Sequence, residues 1–184
     1  MAAVPGKHVF YLALQPTPEA AAAAAERLEG VRRRHRLIGR AVAANRLHVS
    51  LFNLGTFKRP PGPILEKAVD VVRRIEGRRF TIALNRLASW GRGAGERPLV
   101  LWGEDGVIGV HALYDALHHE LVRAGMASRR DPSYEPHMTL IYDRADVPET
   151  FVEPVEWAVE EFVLIHAVHG EGRFEVIERF PLAG

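Results

Sequence analysis

The chain has 184 residues, of which 47% are hydrophobic and 26% charged, the balance of a soluble globular protein and the size of one domain or of two small lobes sharing a core. It contains no cysteine, which excludes a disulfide framework, a thiolate nucleophile and a cysteine-based zinc site. The formal net charge is +1, yet only Lys7, Lys58 and Lys67 of the 24 basic residues are lysine. The arginines cluster at 32–34, 36 and 40, at 73–74 and 78–79, and at 129–130; each cluster is either a solvated helix face or a local patch that attracts a polyanion.

The first element is a strand over 8–14. Its apolar run is short and is broken by Gln15, Pro16 and Pro18, so it reads as a strand and not as a secretion signal. A helix follows, capped by Thr17, opened by Pro18 and closed by Gly30. The arginine-rich stretch 31–40 turns toward a strand at 46–53 that ends at Gly55. Residues 59–63 (Arg-Pro-Pro-Gly-Pro) form a loop. A second helix runs over 63–76, with Ile64, Leu65, Ala68, Val72 and Ile75 at helical spacing.

A strand over 80–87 leads to the glycine-rich loop 90–95, which lacks the Gly-Lys-Ser/Thr of a phosphate-binding P-loop. A short strand at 99–102, a helix at 107–124 stopped by Gly125, and a strand at 136–142 come next. Two strands, 157–168 and 173–179, finish the chain around Gly170-Glu171-Gly172, after an acidic stretch between Glu149 and Glu161. The pattern is α+β. No segment approaches the roughly 18 apolar residues of a membrane span, so a single soluble domain over 1–184, without a membrane, is expected.

Two segments carry the same chemistry: Leu47-His48-Val49-Ser50-Leu51-Phe52 and Pro136-His137-Met138-Thr139-Leu140-Ile141. In a strand, residues i and i+2 share a face. His48 and Ser50 therefore point one way while Leu47, Val49 and Leu51 point the other, and His137 and Thr139 likewise share a face backed by Met138 and Leu140. Two imidazoles, each populated in both protonation states near neutrality, suit a general acid and a general base. Two hydroxyls can donate to the non-bridging oxygens of a phosphate held between them. The remaining histidines make no convincing ligand set. His118 and His119 diverge on a helix, a solvated face accounts for His111, Asp115 and His118, and His166 and His169 face opposite ways in a strand; no metal is expected.

The paired pattern resembles the 2H phosphoesterase superfamily, in particular the bacterial RNA 2′,3′-cyclic phosphodiesterases also called 2′-5′ RNA ligases (the LigT/ThpR type). The opening strand, the proline-started helix, Arg46-Leu47-His48 running into Phe52-Asn53-Leu54-Gly55, and Glu135-Pro136-His137 extend the likeness over nearly the whole chain. It implies an α+β fold of two lobes, duplicated about a pseudo-two-fold axis, with a central cleft between antiparallel sheets. It also implies His48 as proton donor, His137 as proton acceptor, and Ser50 and Thr139 as phosphate-binding groups; the family usually has threonine where this chain has Ser50.

Arg129 and Arg130 either reach phosphate or stack on a base, or are surface arginines. Phe10, Tyr11 and Phe52 either offer a stacking surface or belong to the core. The implied activity is hydrolysis of RNA 2′,3′-cyclic phosphate ends to 2′-phosphomonoesters by a cytoplasmic, monomeric enzyme without cofactor. ATP-independent 2′-5′ ligation by the same histidines is the near reverse. None of the three lysines sits in the K-x-[D/N]-G setting of an adenylating ligase. Two other readings remain: a phosphodiesterase acting on a small cyclic nucleotide, and an RNA-binding module whose histidines only contact phosphate.

Overall fold

The computed structural model describes residues 6–91, 95–127, 131, 133–168 and 170–184. In chain order these form β1 (His8–Leu14), α1 (Pro18–His35), a 3-10 turn (Ala44–Arg46), β2 (Val49–Phe57), α2 (Gly62–Val72), β3 (Phe80–Ser89) and β4 (Arg97–Trp102). A second 3-10 turn (Asp105–Val107) then leads into α3 (Ile108–Arg123), followed by β5 (His137–Asp143), β6 (Thr150–Val159), β7 (Glu161–Val168) and β8 (Phe174–Pro181). The strands are hydrogen-bonded in the order β6-β3-β4-β5-β2-β1-β7-β8, with every neighbouring pair antiparallel.

The sheet is two four-stranded halves meeting at one residue pair, Val49 with Met138. Each half places its motif strand, β2 or β5, at the seam and the strand that precedes it by one helix, β1 or β4, next to it. This is the pseudo-two-fold, two-lobed α+β architecture that the family resemblance implies.

The apolar backs of the motif strands explain the layering. Leu47, Val49, Leu51, Met138 and Leu140 are all at most 3% exposed. They belong to one core cluster with Ala20, Ala24, Leu28 and Val31 of α1 and Val110, Leu113, Leu117 and Leu121 of α3. Burying them against helices leaves the alternate residues on the opposite, open face. Among the described residues, that face carries a small cluster of its own, Ala13, Val163 and Ile165, flanked by Tyr11, Phe174 and Val176.

Helix α1 starts as expected, with Thr17 Oγ1 accepting from the Ala20 N–H at 3.2 Å and Pro18 in the first turn. It does not stop at Gly30. The buried stripe Ala20, Ala21, Ala24, Leu28 and Val31 runs through that position, and the burial of Val31 outweighs the ~1 kcal/mol that an interior glycine costs. The helix ends instead at Arg36, in the left-handed region with φ 55°. Much of the arginine cluster is thereby occupied structurally. Arg32 donates to the carbonyls of Leu37 and Gly39, and Arg33 to that of Glu29.

Two further differences have local causes. Strand β2 continues past Gly55 because that glycine, at φ 135°, sits at a bulge whose N–H is held by the Asn53 side chain at 2.8 Å. The span expected as one strand over 157–168 is the end of β6 and the whole of β7, with a corner at Glu160. β6 begins at Thr150, inside the acidic stretch. Its glutamates face solvent while Val155, Trp157 and Val159 face inward, and its Pro154 is tolerated because β6 is an edge strand.

The approach to β2 is held by one carboxylate. Asp143 at the end of β5 accepts from the N–H groups of Ile38 and Gly39, each at 2.7 Å, and from Ala145 N–H at 2.9 Å. These bonds, Ala145's foremost, hold its carboxyl below the usual range despite burial. From there Ala41 bridges Ile141, and the chain loops out through the 3-10 turn before rejoining β5 at Val49. No helix among the described residues is long and apolar enough to cross a membrane.

Two glycines in this region should behave oppositely. A Cβ on Gly39 would lie 1.9 Å from the Tyr142 carbonyl oxygen, so Gly39→Ala is expected to cost about 1–3 kcal/mol in urea unfolding. Gly30 has nothing within 4 Å, and Gly30→Ala should be neutral or stabilise by up to about 1 kcal/mol. A third expectation concerns acid. His8 Nδ1 and His166 Nε2 are 2.8 Å apart, a bond that needs at least one unprotonated ring. Burial, with the charge of His8 next, pushes the proton affinity of His166 down. The unfolded chain then binds more protons below about pH 6.5, and stability falls as pH drops through that value. Replacing His166 with glutamine should flatten the decline in unfolding free energy between pH 7 and 5, and an unchanged slope would contradict the assignment.

Candidate active site

The seam between the halves assembles the two motifs. Because Val49 faces Met138 in antiparallel register, continuing that register by one residue puts His48 across from Thr139 and Ser50 across from His137. The four side chains thus occupy alternate corners, histidine opposite hydroxyl on each side. His48 lies one residue ahead of β2 and His137 opens β5. Ser50 is exposed; the other three are half-buried.

Both imidazoles are held by the same local device. Nδ1 of His48 donates to the Arg46 carbonyl at 2.8 Å, and Nδ1 of His137 to the Glu135 carbonyl at 2.7 Å. A carbonyl can only accept, so each Nδ1 carries its proton and each Nε2 is left to exchange a proton with a ligand. The carbonyl used lies two residues upstream in each case. For His48 it is supplied by the 3-10 turn Ala44–Arg46, and for His137 by the loop before β5. Burial pushes the proton affinity of His48 down; the Arg46 carbonyl partly restores it, and the charges of His137 and Arg46 lower it again.

Aromatic side chains wall the site on both flanks. Tyr11 and Phe174 stand 5.0 and 5.8 Å from the His48 ring. Trp90 lies 4.6 Å from His137 and 5.9 Å from Trp102, which faces His137 across the β4–β5 pairing. Desolvation raises the Tyr11 hydroxyl well above its usual range, so it stays protonated.

Two arginines approach. The Arg46 guanidinium lies 5.5 Å over the Phe174 ring and lowers the proton affinity of both Tyr11 and His48, which places its charge at the site. Arg86 lies over Trp102 and Phe151 and is bound by Glu104 and Glu149, each at 2.8 Å, so it is committed to structure.

Of the residues singled out from sequence, His48, His137, Ser50 and Thr139 come together, and Tyr11 stands beside His48. Phe10 does not join them: it is 1% exposed in the helix-side core, stacked 4.5 Å from His166. Phe52 also lies on the helix face, although it is two residues from Ser50. The β1–β2 register pairs Ala13 with Ser50 and Leu12 with Phe52, so Leu51 is an extra residue in a bulge that reverses the alternation. Arg129 and Arg130 lie outside the described residues. Arg46, Trp90, Trp102 and Phe174 reach the site without having been singled out. Arg46 alone was signalled, by its place two residues before His48; the aromatic three arrive through strand order.

The chain matches the family model of the 2′-5′ RNA ligase superfamily over residues 7–171. Among solved structures, E. coli LigT in apo form aligns over 97% of this chain and 99% of its own, at 24% identity and TM-score 0.73. E. coli LigT complexed with 3′-AMP aligns over the same shares at 24% identity and TM-score 0.74. TT0787 of Thermus thermophilus aligns over 96% and 98%, at 24% identity and TM-score 0.76. A search of curated protein sequences finds no match. The structural likenesses speak for the fold, and the family match spans the strand pair, the helices and both histidine motifs: the chain belongs to the 2′-5′ RNA ligase superfamily of 2H phosphoesterases.

Proposed function

We propose that the protein opens 2′,3′-cyclic phosphate ends of RNA to 2′-phosphomonoesters. The observation that carries this reading is the matched pair of imidazoles, each locked through Nδ1 to a carbonyl and each beside the other motif's hydroxyl. In the step, Nε2 of His137 takes a proton from water as its oxygen bonds to phosphorus. The bond from phosphorus to the ribose 3′ oxygen breaks, and Nε2–H of His48 protonates that oxygen. Ser50 and Thr139 donate to the non-bridging oxygens where charge accumulates, and the Arg46 guanidinium adds positive potential. Two imidazoles and two hydroxyls cover every proton and charge transferred, so the scheme assigns no step to a metal or cofactor. A ribose 5′-hydroxyl in place of water would give a 2′-5′ linkage without ATP. The 3′-AMP complex of LigT, a protein of the same fold, supports a nucleotide as ligand.

The direct test is incubation with a short RNA ending in a 2′,3′-cyclic phosphate, with EDTA and without ATP. Wild type is expected to yield a 2′-phosphate end. His48→Ala and His137→Ala should each lose about 10²–10⁴ in kcat, and Ser50→Ala and Thr139→Ala about 10²–10³. Tight RNA binding without turnover would instead favour a phosphate-contacting module.

The lowered proton affinity of His48 sets a pH signature. As the acid, His48 must be protonated, and burial opposes this in the free enzyme. The alkaline limb of kcat/KM, which reports free enzyme, should lie on the acid side of about 6.5. An anionic phosphate bound between the histidines offsets the desolvation, so the alkaline limb of kcat should lie higher. Coincident limbs would remove His48 from the acid role.

A further inference from the structure

The ladders on both sides of β2 are interrupted just past Ser50. On the β1 side the register skips Leu51, since Ala13 faces Ser50 and Leu12 faces Phe52. On the β5 side, continuing the register from Val49 and Met138 puts Pro136 across from Leu51, and a proline has no N–H to donate. A side chain stands in there. The Tyr134 hydroxyl, from the loop before β5, donates to the Ser50 carbonyl at 3.0 Å.

The ring behind that hydroxyl is clamped by α3. It stacks on Tyr114 with centroids 3.8 Å apart and planes 6° from parallel, and His111 meets it edge-on at 5.8 Å. Tyr114 is buried, and its neighbours Leu113 and Leu117 belong to the main core, so the place of the Tyr134 ring is set by the fold. Burial raises the Tyr134 hydroxyl well above its usual range, and the charges of Tyr114 and Glu135 add to that. The hydroxyl therefore keeps its proton and remains a donor to the carbonyl.

The next residue completes the device. Glu135 supplies the carbonyl that receives Nδ1–H of His137 at 2.7 Å. Tyr134 thus ties α3 to the backbone of Ser50, and its own chain carries the carbonyl behind His137. We propose that Tyr134 is a positioning residue that holds the His137 motif and Ser50 in fixed register across the seam. The inference rests on the proposed reaction, in which His137 takes the proton from water and Ser50 donates to the phosphate, and it names what keeps those two groups aligned. Tyr134 acts through the backbone, because its hydroxyl is spent on the Ser50 carbonyl. His48 has a separate anchor, the Arg46 carbonyl of the 3-10 turn, so the effect belongs to the His137 side.

The test is Tyr134→Phe, which keeps the stacked ring and removes the hydroxyl. With a short RNA ending in a 2′,3′-cyclic phosphate, kcat is expected to fall by about tenfold or more while KM stays within about twofold, the mark of alignment lost in the transition state. Nitrogen-15 NMR of labelled histidine, at about pH 8.5 where imidazole is neutral, supplies a readout that a merely structural tyrosine does not move. Wild-type His137 is expected as the Nδ1–H tautomer; in the variant it should gain a share of the Nε2–H form while His48 stays Nδ1–H. An unchanged kcat, a loss carried by KM, or a His137 tautomer that does not move apart from that of His48 overturns the inference and leaves the reaction standing. Should wild type open no cyclic phosphate, the proposed reaction falls. The NMR comparison then decides alone: a tautomer shift confined to His137 supports the positioning role, and its absence overturns it.

Discussion

A strand sends successive side chains to opposite faces, and here two strands meet with their apolar residues buried under the same helices. Val49 and Met138, the residue pair through which β2 and β5 meet, are both fully buried. With that pair fixed, His48, Ser50, His137 and Thr139 must emerge together on the far side. The candidate site is the reverse face of the core, and the energy that buries Leu47, Leu51 and Leu140 is what places its four polar side chains. A polar substitution on the back would disturb the chemistry as directly as one on the front.

The second layer of control is backbone geometry next to each histidine. A carbonyl two residues upstream selects the tautomer on both sides. On the His48 side burial lowers the proton affinity, and the charges of His137 and Arg46 add to that. In the proposed reaction a phosphate between the rings would bring a negative charge to them, and Tyr11, Phe174, Trp90 and Trp102 stand around that position.

How much of this was legible in the sequence depends on whether the determinant was local. The motif strands could be read because alternation of Leu47, Val49 and Leu51 with His48 and Ser50 is a short-range pattern. The cap at Thr17 and the start at Pro18 could be read for the same reason. The choice for Phe52 between stacking surface and core could not be made, because one bulged residue, Leu51, reverses the alternation after Ser50, and nothing near it announces a bulge. The helix passed Gly30 because the burial of Val31, a tertiary effect, outweighs the local signal. β6 was hidden because an edge strand exposed on one face alternates glutamate with apolar residues, which reads as a charged stretch. Trp90, Trp102 and Phe174 come from β3–β4 and from β8, so their nearness to the histidines depends on strand order, which pairing decides over distances of many residues.

The halves are not consecutive pieces of chain. β3 to β6 form one of them from the middle of the sequence, while the other pairs β1 near the start with β7 near the end, Phe10 facing His166. During synthesis, β1 can pair with β2 soon after both leave the ribosome, but its other edge stays open until all of the intervening half has been made. The half bearing His48 cannot close before β7 and β8 have emerged. A nascent chain in that interval presents a strand edge flanked by apolar side chains, the kind of surface that chaperones recognise and that neighbouring chains on a polysome can capture.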